Sequence, residues 1–171
     1  TYREEREETL TPGYRAFAAG RAEAQLRYIH GVAERRAIDV RPARVLEIGA
    51  GCGALLGLFD AERVAIEPDK AFAQDLLQSH PEVSVITWDE LASQPDPAEH
   101  FDLVVMWNVL EHLPDPVRKM RLSHDRLTCG GLLFVEVPHE PQSFLEYMAT
   151  TAQRGLAHLF HFEPASLQRL L

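Results

Sequence analysis

Three glycines and two carboxylates mark where this chain of 171 residues could hold a ligand. The stretch Val45-Leu46-Glu47-Ile48-Gly49-Ala50-Gly51-Cys52-Gly53 is a short apolar run that ends in an acid and then enters glycine at alternate positions. It reads as a buried strand feeding a tight loop, because glycine tolerates unusual backbone angles and lets a ligand press against bare peptide. A second apolar run ends at Glu67. Acids at the ends of two successive strands point to a nucleoside-containing cofactor at the carboxyl edge of a parallel sheet.

Two ligand types use such a loop, whose N–H groups can donate to a negative or polar group at a helix start. A dinucleotide would place its pyrophosphate there, and Gly49 to Ala54 fits the degenerate G-x-G-x-x-A pattern. S-adenosylmethionine would lay its methionine part and ribose across the loop instead. Glu47 separates the two. A carboxylate beside a pyrophosphate is repelled, whereas it suits the ammonium of an amino-acid moiety. Glu67 is placed to accept hydrogen bonds from ribose hydroxyls. The competing reading makes both acids surface carboxylates in salt bridges.

The elements that must position these residues follow from pattern and punctuation. Gly13 to Ile38 predicts a helix with a loose apolar face at Phe17, Leu26, Ile29 and Val32. Pro42 breaks it. Strands are expected over Arg44–Ile48, Arg63–Glu67, Val83–Thr87, Phe101–Met106 and Leu132–Val137. Helices are expected over Ala54–Ala61, Lys70–Ser79 with Asp69 as cap, and Val117–Leu127. Gly130-Gly131 is read as the turn into the fifth strand. Phe144–Leu159 and Pro164–Leu171 carry weaker helical patterns. Strands alternating with helices predict an α/β fold: a Rossmann-like, doubly wound, mainly parallel sheet with helices on both faces. One domain spans 1–171, with a helical cap over 1–40, a cofactor-binding core over 41–140 and a helical acceptor-side segment over 141–171. The chain stops inside an expected helix, so it reads as a piece of something longer.

Composition narrows the classes. With 46% hydrophobic and 25% charged residues the chain is an ordinary globular domain. The net charge of -9 disfavours nucleic acid as a partner, which calls for a basic face. No apolar run is long enough to span a bilayer, so no membrane partner is expected. Cys52 and Cys129 form no CxxC pair and no disulfide framework, which predicts a reduced, cytoplasmic protein. His158, His161 and Glu163 lie close in sequence but match no standard zinc spacing, so no metal is expected. The sequence does not fix an oligomeric state.

At four places the chain resembles the class I S-adenosylmethionine-dependent methyltransferase family, in its small-molecule branch. Glu47 to Gly53 is similar to the family's first motif, an acid followed by G-x-G-x-G. Ala65-Ile66-Glu67-Pro68-Asp69 is similar to the second. Phe101-Asp102-Leu103-Val104-Val105 followed by Asn108-Val109-Leu110-Glu111-His112-Leu113 resembles the fourth-strand motif with its "LEH" turn. Leu127-Thr128-Cys129-Gly130-Gly131-Leu132-Leu133 resembles the entry to strand five. The resemblance covers roughly residues 40–140. It implies that Glu47, Gly49, Ala50, Gly51 and Gly53 frame the methionine part, and that Glu67, followed by Pro68, holds the ribose. It further implies that Asp89 reaches the adenine amino group, with Trp88 and Leu91 nearby, and that Trp107 and Asn108 line the methionine end. Cys129 departs from the family's usual proline. The family's last two strands are not accounted for before Leu171.

The implied reaction is methyl transfer to a small-molecule acceptor by in-line displacement, leaving S-adenosylhomocysteine. Alignment of donor and acceptor carries most of the catalysis, and a base is needed only for an acceptor that arrives protonated. His139, after the fifth strand, is the candidate catalytic residue; His112 and His161 are the other imidazoles near the expected site. Two rival functions remain at this stage: an NAD(P)-dependent oxidoreductase using the same loop, and a non-catalytic methyltransferase-like binding domain.

Overall fold

The computed structural model of the chain describes residues 11–94, 100–138, 159–160 and 162–170. Within them lie five strands: β1 (Arg44–Ile48), β2 (Glu62–Ile66), β3 (Ser84–Val85), β4 (Phe101–Trp107) and β5 (Leu127–Glu136). All pair in parallel, in the order β3-β2-β1-β4-β5. The chain leaves β1 toward β2 on one side and returns to β4 on the other. The crevice beyond β1 and β4 is therefore the switch point at which open α/β sheets bind ligands.

Alternation along the strands sorts the core into two layers. Val45, Ala65, Leu103 and Val105 face Ala22 and Ile29 of helix α1 (Pro12–Arg35), Leu56, and Leu76 of α2 (Lys70–Ser79). Leu46, Ile48, Val64, Ile66, Val104 and Met106 face Leu91 of α3 (Trp88–Ser93) and Met120 of α4 (Pro116–Asp125). Leu167 and Leu170 of α5 (Pro164–Leu170) pack against this second layer. Each fully buried Leu or Ile contributes roughly 1.5–3 kcal/mol, and the slip of one residue in β1 would exchange the two layers. That constraint fixes where Glu47 points: toward α1, on the face of Val45.

Helix starts follow their capping residues. Thr11 caps α1, its hydroxyl accepting from Tyr14 N at 3.2 Å, with Pro12 in the first turn. Asp69 caps α2 by accepting from Ala71 N and Phe72 N at 2.8 and 3.3 Å. Asp115 caps α4 through Arg118 N at 3.0 Å.

Three local expectations are corrected. Ala54 to Ala61 forms only a single 3-10 turn, Leu56–Leu58. Gly57 weakens a longer helix, and its missing side chain admits the His80 ring, which would lie 2.6 Å from a Cβ there. The third strand stops at Val85, because Thr87 is taken by a reciprocal capping box with Glu90 that starts α3. Gly130-Gly131 does not precede β5 but lies inside it. The strand bulges there, so that Phe101 pairs with Leu127 while Leu103 pairs with Leu132. Gly130 takes φ +82°, which suits glycine at such a bulge. The expected helix over Phe144–Leu159 lies almost wholly outside the described residues.

Candidate functional site

The loop after β1 turns at Gly49, Gly51 and Gly53, with φ of 75°, 55° and 76°. These left-handed angles cost an ordinary L-residue roughly 1–2 kcal/mol. Gly49 also has no room for a side chain, since a Cβ would sit 2.3 Å from Val109 Cγ2. Its N–H donates to Ile66 O at 2.7 Å, tying the loop to the end of β2.

Glu67 follows β2 and holds the same loop. One carboxylate oxygen accepts from Gly51 N and the other from Asp69 N, both at 2.8 Å. Beside it opens a cleft of about 590 Å³, within the usual range for small-ligand sites. Its walls include Gly49, Gly51, Glu67, Pro68, Phe72, Trp88 and His112. The Lys119 ammonium lies over the Trp88 ring, 4.2 Å from its centroid. Burial lowers the Lys119 pKa.

A second, smaller cavity of about 180 Å³ lies between the loop and α1. Glu47, Gly49, Ala50, Gly51 and Trp107 form its floor, and Tyr14, Phe17, Arg21 and Gln25 of α1 its roof. Tyr14, Gly49 and Gly51 line both spaces, so the two meet over the glycine loop. Burial raises the Tyr14 pKa, with Cys52 and Glu67 adding to the rise.

Glu47 is 6% exposed, and its Oε2 has no hydrogen-bond partner among the described residues. Removal from water pushes its carboxyl up to about 8; a backbone contact from Leu56 opposes the rise and the Glu67 charge adds to it. The buried Trp107 Nε1 likewise has no partner among the described residues.

Helix α1 is fastened over the loop on both sides. Arg15 pairs with the buried Asp75 of α2. Arg21 pairs with Glu136 at the end of β5 at 3.0 Å. Asn108 joins this second fastening, its side chain donating to Glu136 Oε1 at 3.2 Å and its backbone N–H to Glu136 O at 2.8 Å. Asn108 takes φ +50°, a left-handed angle that asparagine accepts more readily than most residues.

The residues named from sequence therefore divide. Glu47, Gly49, Ala50, Gly51 and Trp107 meet at the small cavity, and Glu67 and Pro68 meet Gly49 and Gly51 at the large one. Gly53 lines neither and packs toward Leu76 and His80 of the α2 end. Asp89 is exposed in the first turn of α3 and does not line the cleft, whereas Trp88 before it does. Asn108 shapes the end of β4 through Glu136. His139 lies outside the described residues, as does His161. Sequence reasoning did not single out Tyr14, Arg21 or Gln25. The expected helix over Gly13–Ile38 contains them, but its loose periodicity gave no sign of which face would roof the loop. Among the described residues no group of three or more His, Cys, Asp or Glu could hold a metal ion, and no helix is long and apolar enough to cross a membrane.

A parallel sheet with a glycine loop and two strand-end acids at its switch point defines a Rossmann-like nucleoside-binding domain. Comparison with known proteins makes the class specific. Residues 20–171 match the family described as "Methyltransferase domain", and the chain belongs to that family. It is 32% identical over 147 residues to the ubiquinone biosynthesis O-methyltransferase of Xanthomonas oryzae pv. oryzae (strain PXO99A), covering 76% of this chain and 61% of that one. It is 36% identical over 76 residues to the enzyme of the same name from Marinobacter nauticus, covering 40% of this chain and 32% of the relative. The chain thus spans less than two thirds of the length of these relatives. A SAM-dependent methyltransferase from Archaeoglobus fulgidus shares the fold at TM-score 0.66 and 21% identity, covering 91% of this chain and 66% of that one. A SAM-bound amino pentose methyltransferase from Micromonospora echinaspora does so at TM-score 0.54 and 20% identity, covering 84% and 59%.

Proposed function

We propose that this chain binds S-adenosylmethionine across the glycine loop and directs methyl transfer to a small-molecule acceptor. The observation that carries the reading is the pair of joined cavities with an acid at each end. Glu67 stands beside the larger space, where it would take ribose hydroxyls. Glu47 floors the smaller, where it would take an ammonium. Gly49 and Gly51 let the ligand lie against backbone between them. Glu47, a buried acid that only a cation lets ionise, is matched by an ammonium, whereas a pyrophosphate brings it no such partner. The bound cofactor supplies a methyl group activated on a sulfonium.

The chain's own contribution is placement and exclusion of water. α1 roofs the small cavity, and alignment of acceptor and donor is worth roughly 7–11 kcal/mol in favourable cases. The acidic balance of -9 favours a small acceptor over a polyanion. The O-methyltransferase names of the relatives suggest a hydroxyl acceptor, which calls for a base to hold its proton. His139 remains our candidate for that base. Cys52 and Cys129 are both free, which suits a reducing cytoplasm.

Incubating the chain with methyl-labelled cofactor and a panel of phenols and catechols tests the reading. Label is expected in the acceptor, with His139→Ala slowing turnover while leaving cofactor affinity intact. Cofactor binding with no transfer to any acceptor would favour a binding domain without catalysis.

A further inference from the structure

The glycine loop has two sides. Toward the ligand it presents Gly49 and Gly51, which line both cavities. Behind it stands His80, the residue that closes α2. A Cβ on Gly53 would lie 3.2 Å from His80 Cδ2, with Leu76 Cγ at 3.1 Å beside it. A Cβ on Gly57 would lie 2.6 Å from His80 Cε1 and 3.1 Å from its Nε2. The imidazole thus fills the space that side chains at both glycines would need. Neither His80 nor Gly57 lines the cavities, so the ring acts on a ligand only through the loop.

Both parts of this contact are anchored. The His80 N–H donates to Leu76 O at 2.7 Å, and its carbonyl accepts from Val83 N at 3.1 Å. On the other edge of the ring, Nδ1 lies 3.7 Å from Glu82 Oε1, which pairs with Arg63 of β2 at 2.8 Å. On the loop side, Gly57 N–H donates to Gly53 O and Gly53 N–H to Ala50 O, both at 2.9 Å. A shift of the turn Leu56–Leu58 therefore reaches Ala50 and Gly51 through backbone bonds. Close-packed groups transmit such shifts rather than absorb them.

Resting on the methyl-donor reading above, we propose that His80 is a positioning residue for the cofactor: its ring, seated between the end of α2 and the turn after the glycine loop, sets the loop from behind, as Glu67 holds it from the ligand's side. Both neighbours of the ring are bare backbone, and Gly57 is there to admit it. Gly57 lies in the 3-10 turn Leu56–Leu58, outside the left-handed region. Alanine at such a position ordinarily stabilises by restricting the unfolded chain. Here it would drive the ring off the loop.

Three variants test this: His80→Ala, Gly57→Ala and the two together. Calorimetric titration with S-adenosylhomocysteine reads the loop through affinity, on samples that circular dichroism shows to be folded at the measuring temperature. Each single change is expected to weaken binding roughly five- to tenfold. In the pair, the alanine methyl takes up space that the ring has left. The losses should then not multiply, and the double variant should bind no more weakly than Gly57→Ala alone. Hydrogen exchange without ligand gives a second readout, which a general loss of stability would not produce. His80→Ala is expected to speed exchange at the Gly51, Gly53 and Gly57 amides while those of β4 keep their protection. Wild-type affinity in folded His80→Ala, or fully multiplicative losses in the pair, overturns the proposal. Faster exchange in β4 with the loop amides unchanged does so too. A wild-type chain that binds no S-adenosylhomocysteine would instead bring down the methyl-donor reading, and the exchange comparison would still decide whether His80 braces the loop.

Discussion

Two acids end neighbouring strands of this sheet, and their surroundings are opposite. Glu67 is partly exposed and already hydrogen-bonded to the backbone of Gly51 and Asp69. Glu47 is enclosed between β1 and α1, with one oxygen unmet among the described residues. The first is preorganised, since it braces the glycine loop in the ligand's absence. The second is an acid whose burial favours the neutral form, and a cationic ligand would let it ionise. The same residue type, on successive strands, thus stands once hydrogen-bonded to the loop it braces and once buried.

The most disruptive way to break the comparison is at the glycine between the two acids. Gly49→Ala combines a left-handed angle with a contact of 2.3 Å to Val109. It is expected to cost about 3–5 kcal/mol of stability and to abolish cofactor binding, as chemical denaturation and titration would report. Retained stability would mean that the loop repacks easily.

Glu47→Gln sharpens the contrast through stability. The folded carboxyl keeps its proton up to about 8, whereas an unfolded one titrates near 4.3. Wild-type stability from this group is therefore greatest at low pH and is lost as pH rises through that window. Glutamine has no proton to lose, so the cofactor-free variant is expected to gain on the wild type by at most about 4 kcal/mol at pH 7. The gain should shrink toward pH 5 and level off above about pH 8, as melting curves across that range would show. A pH-independent difference would place Glu47 in contact with water or a cation.

Glu67→Ala should behave differently. It removes the brace from Gly51 and Asp69 and the acceptor we propose for a ribose, weakening cofactor binding by roughly 1–3 kcal/mol. Unchanged affinity by calorimetry would reject the ribose assignment. The smallest effect belongs to the fastening of α1. Arg21 and Glu136 are each partly exposed, at 39% and 45%. Glu136→Gln is expected to cost about 0.2–1 kcal/mol and to do so less at high salt, a dependence measurable by denaturation at two ionic strengths.

Much of this arrangement was legible in residue order. The acid–glycine run, the second strand-end acid and the Asp69 cap each act locally, and each element formed where its residues pointed. Departures arose where a longer-range contact or a cap outweighed composition. The β-branched run Val83 to Thr87 favours strand, yet Thr87 and Glu90 carry a capping-box spacing that ends it. Gly130-Gly131 reads as a turn in isolation and becomes a bulge once β4 supplies a partner. Asp89 falls at the position that the family pattern assigns to adenine, but helix α3 turns it to solvent and presents Trp88 to the cleft. The burial of Glu47 could not be foreseen, because it depends on α1 lying across the loop. That placement comes from Ala22 and Ile29 packing on the sheet, with ion pairs to Asp75 and Glu136 added, all contacts distant in sequence.

The central claim is that the rim over β1 and β2 holds a sulfonium nucleoside rather than a dinucleotide. Thermal unfolding of the chain with S-adenosylhomocysteine and with NAD, each over a range of concentrations, tests it most directly. A melting temperature that climbs with S-adenosylhomocysteine alone, equivalent to about 2.7 kcal/mol at a hundredfold excess over Kd, is the predicted result. A rise with NAD and none with S-adenosylhomocysteine would contradict it.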